Sequence, residues 1–547
     1  MFLLLSDHIL SKRWFKYLLT SLFVGANTLI IIANLVDVFY FPFTLKRMTY
    51  SIFDYLGTQA NMDTLGVEFL ITYWYGFLLL GVLLFALISI FRYAYSRYNQ
   101  SKQIEMKKNK WVYLLCFLLL WGIGIKSHLN IFAPQLETID AVELTEDPIA
   151  ASISLNSAYS LIESYSQHYI RIGDCERENG RNRTKGIEDE VKKKNVVIII
   201  LESFTAEASN RLNPTSPGYM PFLDSLMLDS YYYTKASANG RKSMDALPAI
   251  FAAIPAMQTP YILQPKREKI VSLPSCLDSL GYQTYFFHGS HNATMGFRDF
   301  CNFCGVQNYR GLDEYPSPSD FDGTWGIWDE PYLNYMAKEL DDGPKPFFST
   351  VFTLSSHNPY VLPKEYKGIY PEGKDGIEPT ISYSDHALRM FFETASKMSW
   401  YNNTLFVITA DHSIKAWNKN YATSEKAYHI PLLFFDPGAK LKGVSQERAQ
   451  QIDIFPTVMG YLNIPIRREV PGHNLFDPHE KKFSVNIINE SYQFIFDNML
   501  YRYDGEKMIA IYDLDLDPKE QHNLLSKEHV YQSDITVMKA WIDKYKR

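Results

Sequence analysis

The chain has 547 residues, a formal net charge of −6, 21% charged residues and 15% aromatic residues. That length exceeds one ordinary domain and asks for a few. The acidic balance supplies no basic field of the kind that binds nucleic acid, so no nucleic-acid partner is expected.

Two long apolar runs come first. Tyr17–Val36 is twenty residues without a charge, and Phe69–Phe91 is twenty-three. Each is long enough to cross a hydrocarbon core as a helix. Trp111–Ile125 is only fifteen. It spans if Lys126 snorkels and the apolar stretch toward Phe132 is used, and is otherwise a buried or interfacial helix. Lys12, Arg13 and Lys16 precede the first run. Arg92, Arg97, Lys102, Lys107, Lys108 and Lys110 lie between the second and third, against Glu105 alone. The positive-inside rule places both basic segments in the cytoplasm, with Lys46 and Arg47 as an exception on the other side. Residues 1–126 therefore read as about three transmembrane helices, and everything after about residue 127 as exported. The first run lies too deep, and lacks the small-residue cleavage site, for a signal peptide.

Residues 127–193 are polar and read as a linker. It carries a helical stretch around Ser154–Ile170 and a break at 174–186, DCERENGRNRTKG. From Lys194 the pattern alternates. Strands are predicted at Val196–Leu201, Thr284–Phe287, Phe347–Leu354, Leu405–Thr409 and Leu432–Phe435. Helices are predicted at Met220–Met227, Met244–Ala253, Tyr383–Trp400 and Ile454–Leu462. This is an α/β pattern with a mainly parallel sheet covered by helices. After about Lys481 four short runs, FSVNIIN, YQFIFDN, MLYRYD and MIAIYDL, predict a small C-terminal antiparallel sheet.

Four short motifs punctuate the outer domain: LESFTAE at 201–207, NGRKSMD at 239–245, LSSHNPY at 354–360 and ITADHS at 408–413. The first and last follow buried-strand runs and so sit at strand C-terminal ends, where open α/β sheets bind ligands. Glu202, Asp411 and His412 are oxygen and nitrogen donors for a divalent cation. Ser243 offers a hydroxyl that such a cation turns into a nucleophile. Singly these residues read as a helix cap, a chance Asp-His pair and an N-cap. Their order and matching strand-end contexts favour the metal site. Of the five cysteines, Cys116 lies in the third apolar run, whereas Cys175, Cys276, Cys301 and Cys304 are expected outside, in an oxidising compartment. Cys301 and Cys304 read as a small disulfide or as two thiols, and the absence of a second CxxC excludes a zinc ribbon.

The motifs resemble the alkaline-phosphatase superfamily, specifically its lipoteichoic acid synthase and phosphoglycerol transferase branch. HGSHNATMGFRDF at 288–300, WGIWDE at 325–330, HIPLLFFDPG at 429–438 and QIDIFPTVMGYL at 451–462 are similar to segments of that family. IYDLDLDPKEQHNLL at 511–525 is similar to the closing segment of sulfatases. The resemblance implies a sulfatase-like catalytic domain over 194–547, with the C-terminal subdomain from about 481. It implies one divalent metal held by Glu202, Ser243, Asp411 and His412. The mostly oxygen donor set favours Mn2+ or Mg2+, and the imidazole leaves Zn2+ open. Ser243 stands where the synthases have a threonine nucleophile, an equivalent hydroxyl. His357 matches the substrate histidine and is placed to move a proton. Arg298 matches an arginine that clamps phosphate, and Lys242 adjoins the nucleophile. A tryptophan two residues before that arginine is Gly296 here, which weakens transfer of the glycerol-phosphate specificity. His288 and His291 are read as structural histidines, with reach into the site as the alternative, and Trp325 and Asp329 as structural or lid residues. Family members carry about five spans, so this sequence reads as one that begins inside that bundle.

The expected activity is a membrane-anchored transferase. It moves a phosphoglycerol-type headgroup from a phospholipid donor to a glycan or polymer acceptor through a covalent Ser243 intermediate. The expected location is the outer face of a bacterial cytoplasmic membrane. A phosphoethanolamine transferase is the alternative, and water as acceptor would make a phosphodiesterase. A formylglycine sulfatase is disfavoured, because Ser243–Leu247 lacks the proline and arginine of the C/S-x-P-x-R context. A binding protein that had lost the chemistry would be expected to have lost a ligand.

Overall fold

The structure, a computed structural model, describes residues 12–44, 46–58, 62–100, 191–256, 260–264, 270–466, 468–488 and 491–545. It adds a few positions between 101 and 190, chiefly 150–152 and 157–166. The third apolar run, most of the linker, Cys116 and Cys175 lie outside the described residues. The chain falls into two units, residues 1–50 with 66–166 and residues 51–65 with 167–547.

In the first unit, helices span Arg13–Thr44 and Trp74–Gln100. Both are long and apolar enough to cross a membrane. Their large apolar side chains point outward, Leu29 at 71% and Phe85 at 73% exposure, as suits a lipid rather than an aqueous surround. Arg47, the exception to the charge asymmetry, is locally compensated. Its Nη1 lies 3.5 Å from Asp37 Oδ2, and its Nε donates to the Ser152 carbonyl at 2.5 Å. Asp37 Oδ1 also accepts the Met48 amide at 2.8 Å.

The second unit is built on β1, Asn195–Leu201, whose seven residues are all buried. Val196, Ile198 and Ile200 enter one apolar core, and Val197, Ile199 and Leu201 enter the other. An uninterrupted β-branched run is what a strand covered on both faces requires. The remaining strands of this sheet are β2 (Tyr231–Ser237), β3 (Gln283–His288), β4 (Asn308–Arg310), β5 (Phe347–Phe352), β6 (Thr404–Ala410), β7 (Leu432–Phe435) and β8 (Gly443–Gln450). The order is β4-β3-β5-β1-β6-β7-β2-β8. All pairings are parallel except the two made by β7, with β6 and β2.

Three of these strands were not predicted. β4 is a three-residue edge strand, and β8, GVSQERAQ, is a polar strand at the other edge, so neither shows an apolar run. β2 carries three tyrosines and a lysine. One helix begins earlier than expected, at Glu378 rather than Tyr383, and ends at Ala395. Its first turns bury Thr380, Ser382 and Ser384, so polar residues hide the start. Pro379 is well placed there because the first helical turn needs no N–H from it.

The antiparallel sheet has the order β12-β11-β10-β9, from β9 (Phe483–Ile488), β10 (Ser491–Phe496), β11 (Met499–Tyr503) and β12 (Met508–Asp513). Trp541, on the closing helix Gln532–Tyr545, packs edge-on against Phe494 at 5.4 Å between centroids. Cys301 and Cys304 are buried and are not joined to each other by a disulfide in this structure. Burial raises the Cys301 thiol well above its ordinary range, so it is not a reactive thiolate.

Candidate active site

The register of β1 and β6 builds the centre of the site. Leu201 pairs with Ala410 at the last step, so Glu202 and Asp411 emerge side by side. The Glu202 amide donates to Thr353 Oγ1 at 2.9 Å, and the Ser356 hydroxyl donates to the Glu202 carbonyl at 2.5 Å. Ser203 has φ of 58°, a left-handed conformation that costs a non-glycine residue about 1–2 kcal/mol. Its contacts explain why that conformation is kept. The Ser203 amide donates to Asp411 Oδ1 at 2.7 Å, and its hydroxyl donates to Glu202 Oε1 at 2.6 Å. One strained residue thereby orients both carboxylates.

Ser243 opens the helix Ser243–Ala252 as its first residue, with Lys242 at the N-cap position. It is therefore not the cap itself, and its hydroxyl is spared for the site. Ser243 Oγ donates to Glu202 Oε2 at 3.2 Å and lies 3.5 Å from His412 Nε2. His412 Nδ1 meets the Ser413 carbonyl at 3.0 Å. That bond assigns the ring proton to Nδ1 and turns the Nε2 lone pair toward the cluster. His412 Nε2 then sits 3.2 Å from Asp411 Oδ2, a buried oxygen that accepts no hydrogen bond among the described residues.

Glu202, Asp411 and His412 offer ligand atoms within 4.8 Å of one another. Burial, followed by repulsion from Asp411, pushes the Glu202 carboxyl up to about 7. Burial likewise pushes Asp411 up to about 6 and lowers His412. Two crowded buried carboxylates, an orphaned acid oxygen and an inward imidazole lone pair meet here, and no lysine or arginine forms an ion pair with either carboxylate among the described residues. The donor set fits one divalent cation.

The other residues singled out from sequence divide into those near the cluster and those apart from it. His357 follows β5 and acts electrostatically on Glu202. Its Nδ1 meets the Asn358 carbonyl at 2.9 Å, and its ring packs on Trp325 at 4.1 Å between centroids. Trp325 donates its Nε1 to that same carbonyl at 2.6 Å, so its place is beneath the histidine. His288 is fully buried at the end of β3, with Nδ1 3.3 Å from the Phe352 carbonyl. His291 packs near Phe321. Asp329 is an anchor: Oδ1 accepts the Leu354 and Ser355 amides, and Oδ2 accepts the Ser384 hydroxyl. Arg298 is exposed on the helix Phe297–Phe303 and makes no ion pair or side-chain hydrogen bond among the described residues. Gly296, just before that helix, has φ of 69° and open space where a side chain would project.

Sequence reasoning passed over the residues that hold the two loops together. Gln451 Oε1 accepts the Asn239 amide at 2.9 Å, and its Nε2 donates to the carbonyls of Ala410 at 2.8 Å and Asp411 at 2.7 Å. Asn239 in turn donates to Gln450 Oε1 and to the Val485 carbonyl, and accepts the Ile452 amide. Gly240 belongs to the same packing, because a Cβ there would lie 2.4 Å from Asp245 Cβ. The only available signal was the setting of Gln451 at the head of the QIDIFPT segment.

A sulfatase family model matches residues 194–464. The chain is 21% identical over 360 residues to the lipoteichoic acid synthase-like protein YvgJ of Bacillus subtilis (strain 168), covering 61% of this chain and 58% of that protein. It thus spans less than two thirds of that relative. Against the lipoteichoic acid synthase of Staphylococcus aureus (strain bovine RF122 / ET3-1) it is 22% identical over 569 residues, covering 94% and 84% respectively. Among solved structures, a protein in the alkaline phosphatase superfamily from Vibrio parahaemolyticus superposes with a TM-score of 0.56 at 26% identity. That match covers 65% of this chain and 85% of the other.

Proposed function

We propose that the chain is a lipoteichoic acid synthase-like member of the alkaline phosphatase/sulfatase superfamily and, on that premise, a membrane-anchored, metal-dependent phosphoglycerol transferase. It takes the headgroup of a phospholipid and passes it to a glycan or polymer of the cell envelope through a covalent Ser243 intermediate. The observation that carries this reading is the Ser243 hydroxyl, 3.2 Å from Glu202 and 3.5 Å from His412, at the first position of a ten-residue helix. Unpaired amides and the positive dipole end of such a helix favour a phosphoryl group.

Glu202, Ser243, Asp411 and His412 would hold one divalent cation, Mn2+ or Mg2+ with Zn2+ as the alternative. Such a cation lowers a hydroxyl pKa and offsets phosphoryl charge. Ser243 Oγ attacks phosphorus and the bond to the diacylglycerol oxygen breaks, leaving a phosphoserine ester. His357 gives that oxygen its proton, then takes one from the acceptor hydroxyl that displaces Ser243. Arg298 and Lys242 are assigned to the phosphate and headgroup.

The test is intact mass of the detergent-solubilised chain after incubation with phosphatidylglycerol or with phosphatidylethanolamine. A gain of glycerol phosphate from the first lipid alone is expected. A gain of phosphoethanolamine instead identifies the alternative donor, for which the open space at Gly296 leaves room. Turnover with no adduct from either lipid sinks the covalent route.

The same reading places residues 127–547 on the outer face of the cytoplasmic membrane, because lysine and arginine crowd 12–16 and 92–110. Reporter fusions at Asn99 and at the C-terminus are expected to signal opposite sides. Same-side signals mean that Trp111–Ile125 does not cross.

A further inference from the structure

NGRKSMD places two basic residues ahead of Ser243, and the structure separates their situations. Lys242 is half-buried, whereas Arg241 is 5% exposed. Arg241 Nη1 donates to the Ala427 carbonyl and reaches Ser413 Oγ at 3.4 Å. The guanidinium lies over the Tyr428 ring, 5.8 Å from its centroid. The Ser413 hydroxyl donates to the same Ala427 carbonyl, and the Ser413 carbonyl is the partner of His412 Nδ1. One carbonyl therefore gathers both loops of the site, the nucleophile loop through Arg241 and the histidine loop through Ser413.

We propose that Arg241 is a positioning residue that sets the 3.5 Å approach of Ser243 Oγ to His412 Nε2 by pinning the nucleophile loop to the Ser413–Ala427 junction. This role rests on the reading of Ser243 as nucleophile. Burying a guanidinium carries a large desolvation penalty, which packing alone gives no reason to accept. The planar fork of arginine reaches two acceptors while lying flat on an aromatic face. A lysine ammonium keeps the charge but not that geometry. Buried at 5% exposure and spent on Ala427 and Ser413, Arg241 is assigned to the reaction step and not to donor affinity.

The experiment compares Arg241→Lys and Arg241→Ala with the unsubstituted chain, all solubilised at full length. Arg241→Lys is expected to lose about 10²-fold in kcat, the scale of a small misplacement at a reacting centre. KM for the phospholipid, the Mn2+ content and the melting temperature should stay near those of the parent. Added guanidinium is expected to restore part of the kcat of Arg241→Ala by refilling the space over Tyr428. Full kcat in Arg241→Lys overturns the proposal. So does a loss that only follows the folded, metal-loaded fraction, because that is what a purely structural residue would give. Ser243→Ala in the same assay separates the two ideas: full turnover there removes the nucleophile reading, and this role with it.

Discussion

Ser243→Ala is expected to abolish headgroup transfer, with a fall in kcat on the order of 10⁵-fold or more, as when a covalent nucleophile is removed. The variant should fold and bind donor, since the lost hydroxyl makes one 3.2 Å bond to Glu202 and is not part of the apolar core. The phosphorylated-headgroup adduct should vanish from its intact mass. Serine and threonine present the same hydroxyl, so Ser243→Thr should keep measurable transfer and the adduct. If Ser243→Ala kept full transfer, phosphorus would have to pass directly from donor to acceptor. The helix start at Ser243 would then be only a phosphate cradle.

Asp411→Ala is expected to cost the domain its metal and about 10³-fold or more in rate, since a catalytic cation contributes several kcal/mol at the transition state. Equal metal content in the two proteins would overturn the assignment. The pH dependence supplies a second check. Burial holds Glu202 near 7 and Asp411 near 6, above their unfolded values of roughly 4. Asp385, buried under the Phe222 and Leu223 amides, is likewise pushed up to about 7. At these three carboxyls the folded, metal-free domain therefore binds more protons than the unfolded chain between about pH 4 and pH 7, and the stability they contribute falls as pH rises through that window. A cation takes the place of protons at Glu202 and Asp411, and none at Asp385. Added Mn2+ should thus raise the melting temperature more at about pH 7.5 than at about pH 5.5. Asp411→Ala should largely erase that difference. An equal metal-induced shift at both pH values would count against protons and metal sharing these carboxylates.

The clustering of Glu202, Asp411 and His412 was legible because the fold puts them where sequence signals are loudest. Glu202 and Asp411 each end a run of buried apolar residues, and a run covered on both faces cannot hide in a sequence. The sheet's polar members were not legible. β8 reads as a loop, since its buried residues are Ser445, Arg448, Ala449 and Gln450, and its one valine, Val444, is exposed. The supports of the site were harder still. Asn239 and Gln451 are single amides whose meaning lies in carbonyls brought from distant segments. Arg241 was passed over for Lys242, because no sequence pattern tells which of two adjacent cations turns inward. The start of the helix at Glu378 was masked by small polar residues that are buried.

The amide relay at Asn239 also ties the site to the far end of the chain. Asn239 hangs from Gln450 and the Val485 carbonyl, Gln450 accepts the Val485 amide, and Asn486 donates to the Ala238 carbonyl. The loop that carries Ser243 is thus tied to β9, more than two hundred residues further along the chain. A nascent polypeptide that has reached only residue 482 already contains Glu202, Ser243, Asp411 and His412. It has the contacts of Arg241 with Ala427 and of Asn239 with Gln451, but lacks the share of the support that comes from Val485 and Asn486. The loop that carries Ser243 therefore gains its full set of contacts only when the tail has been delivered.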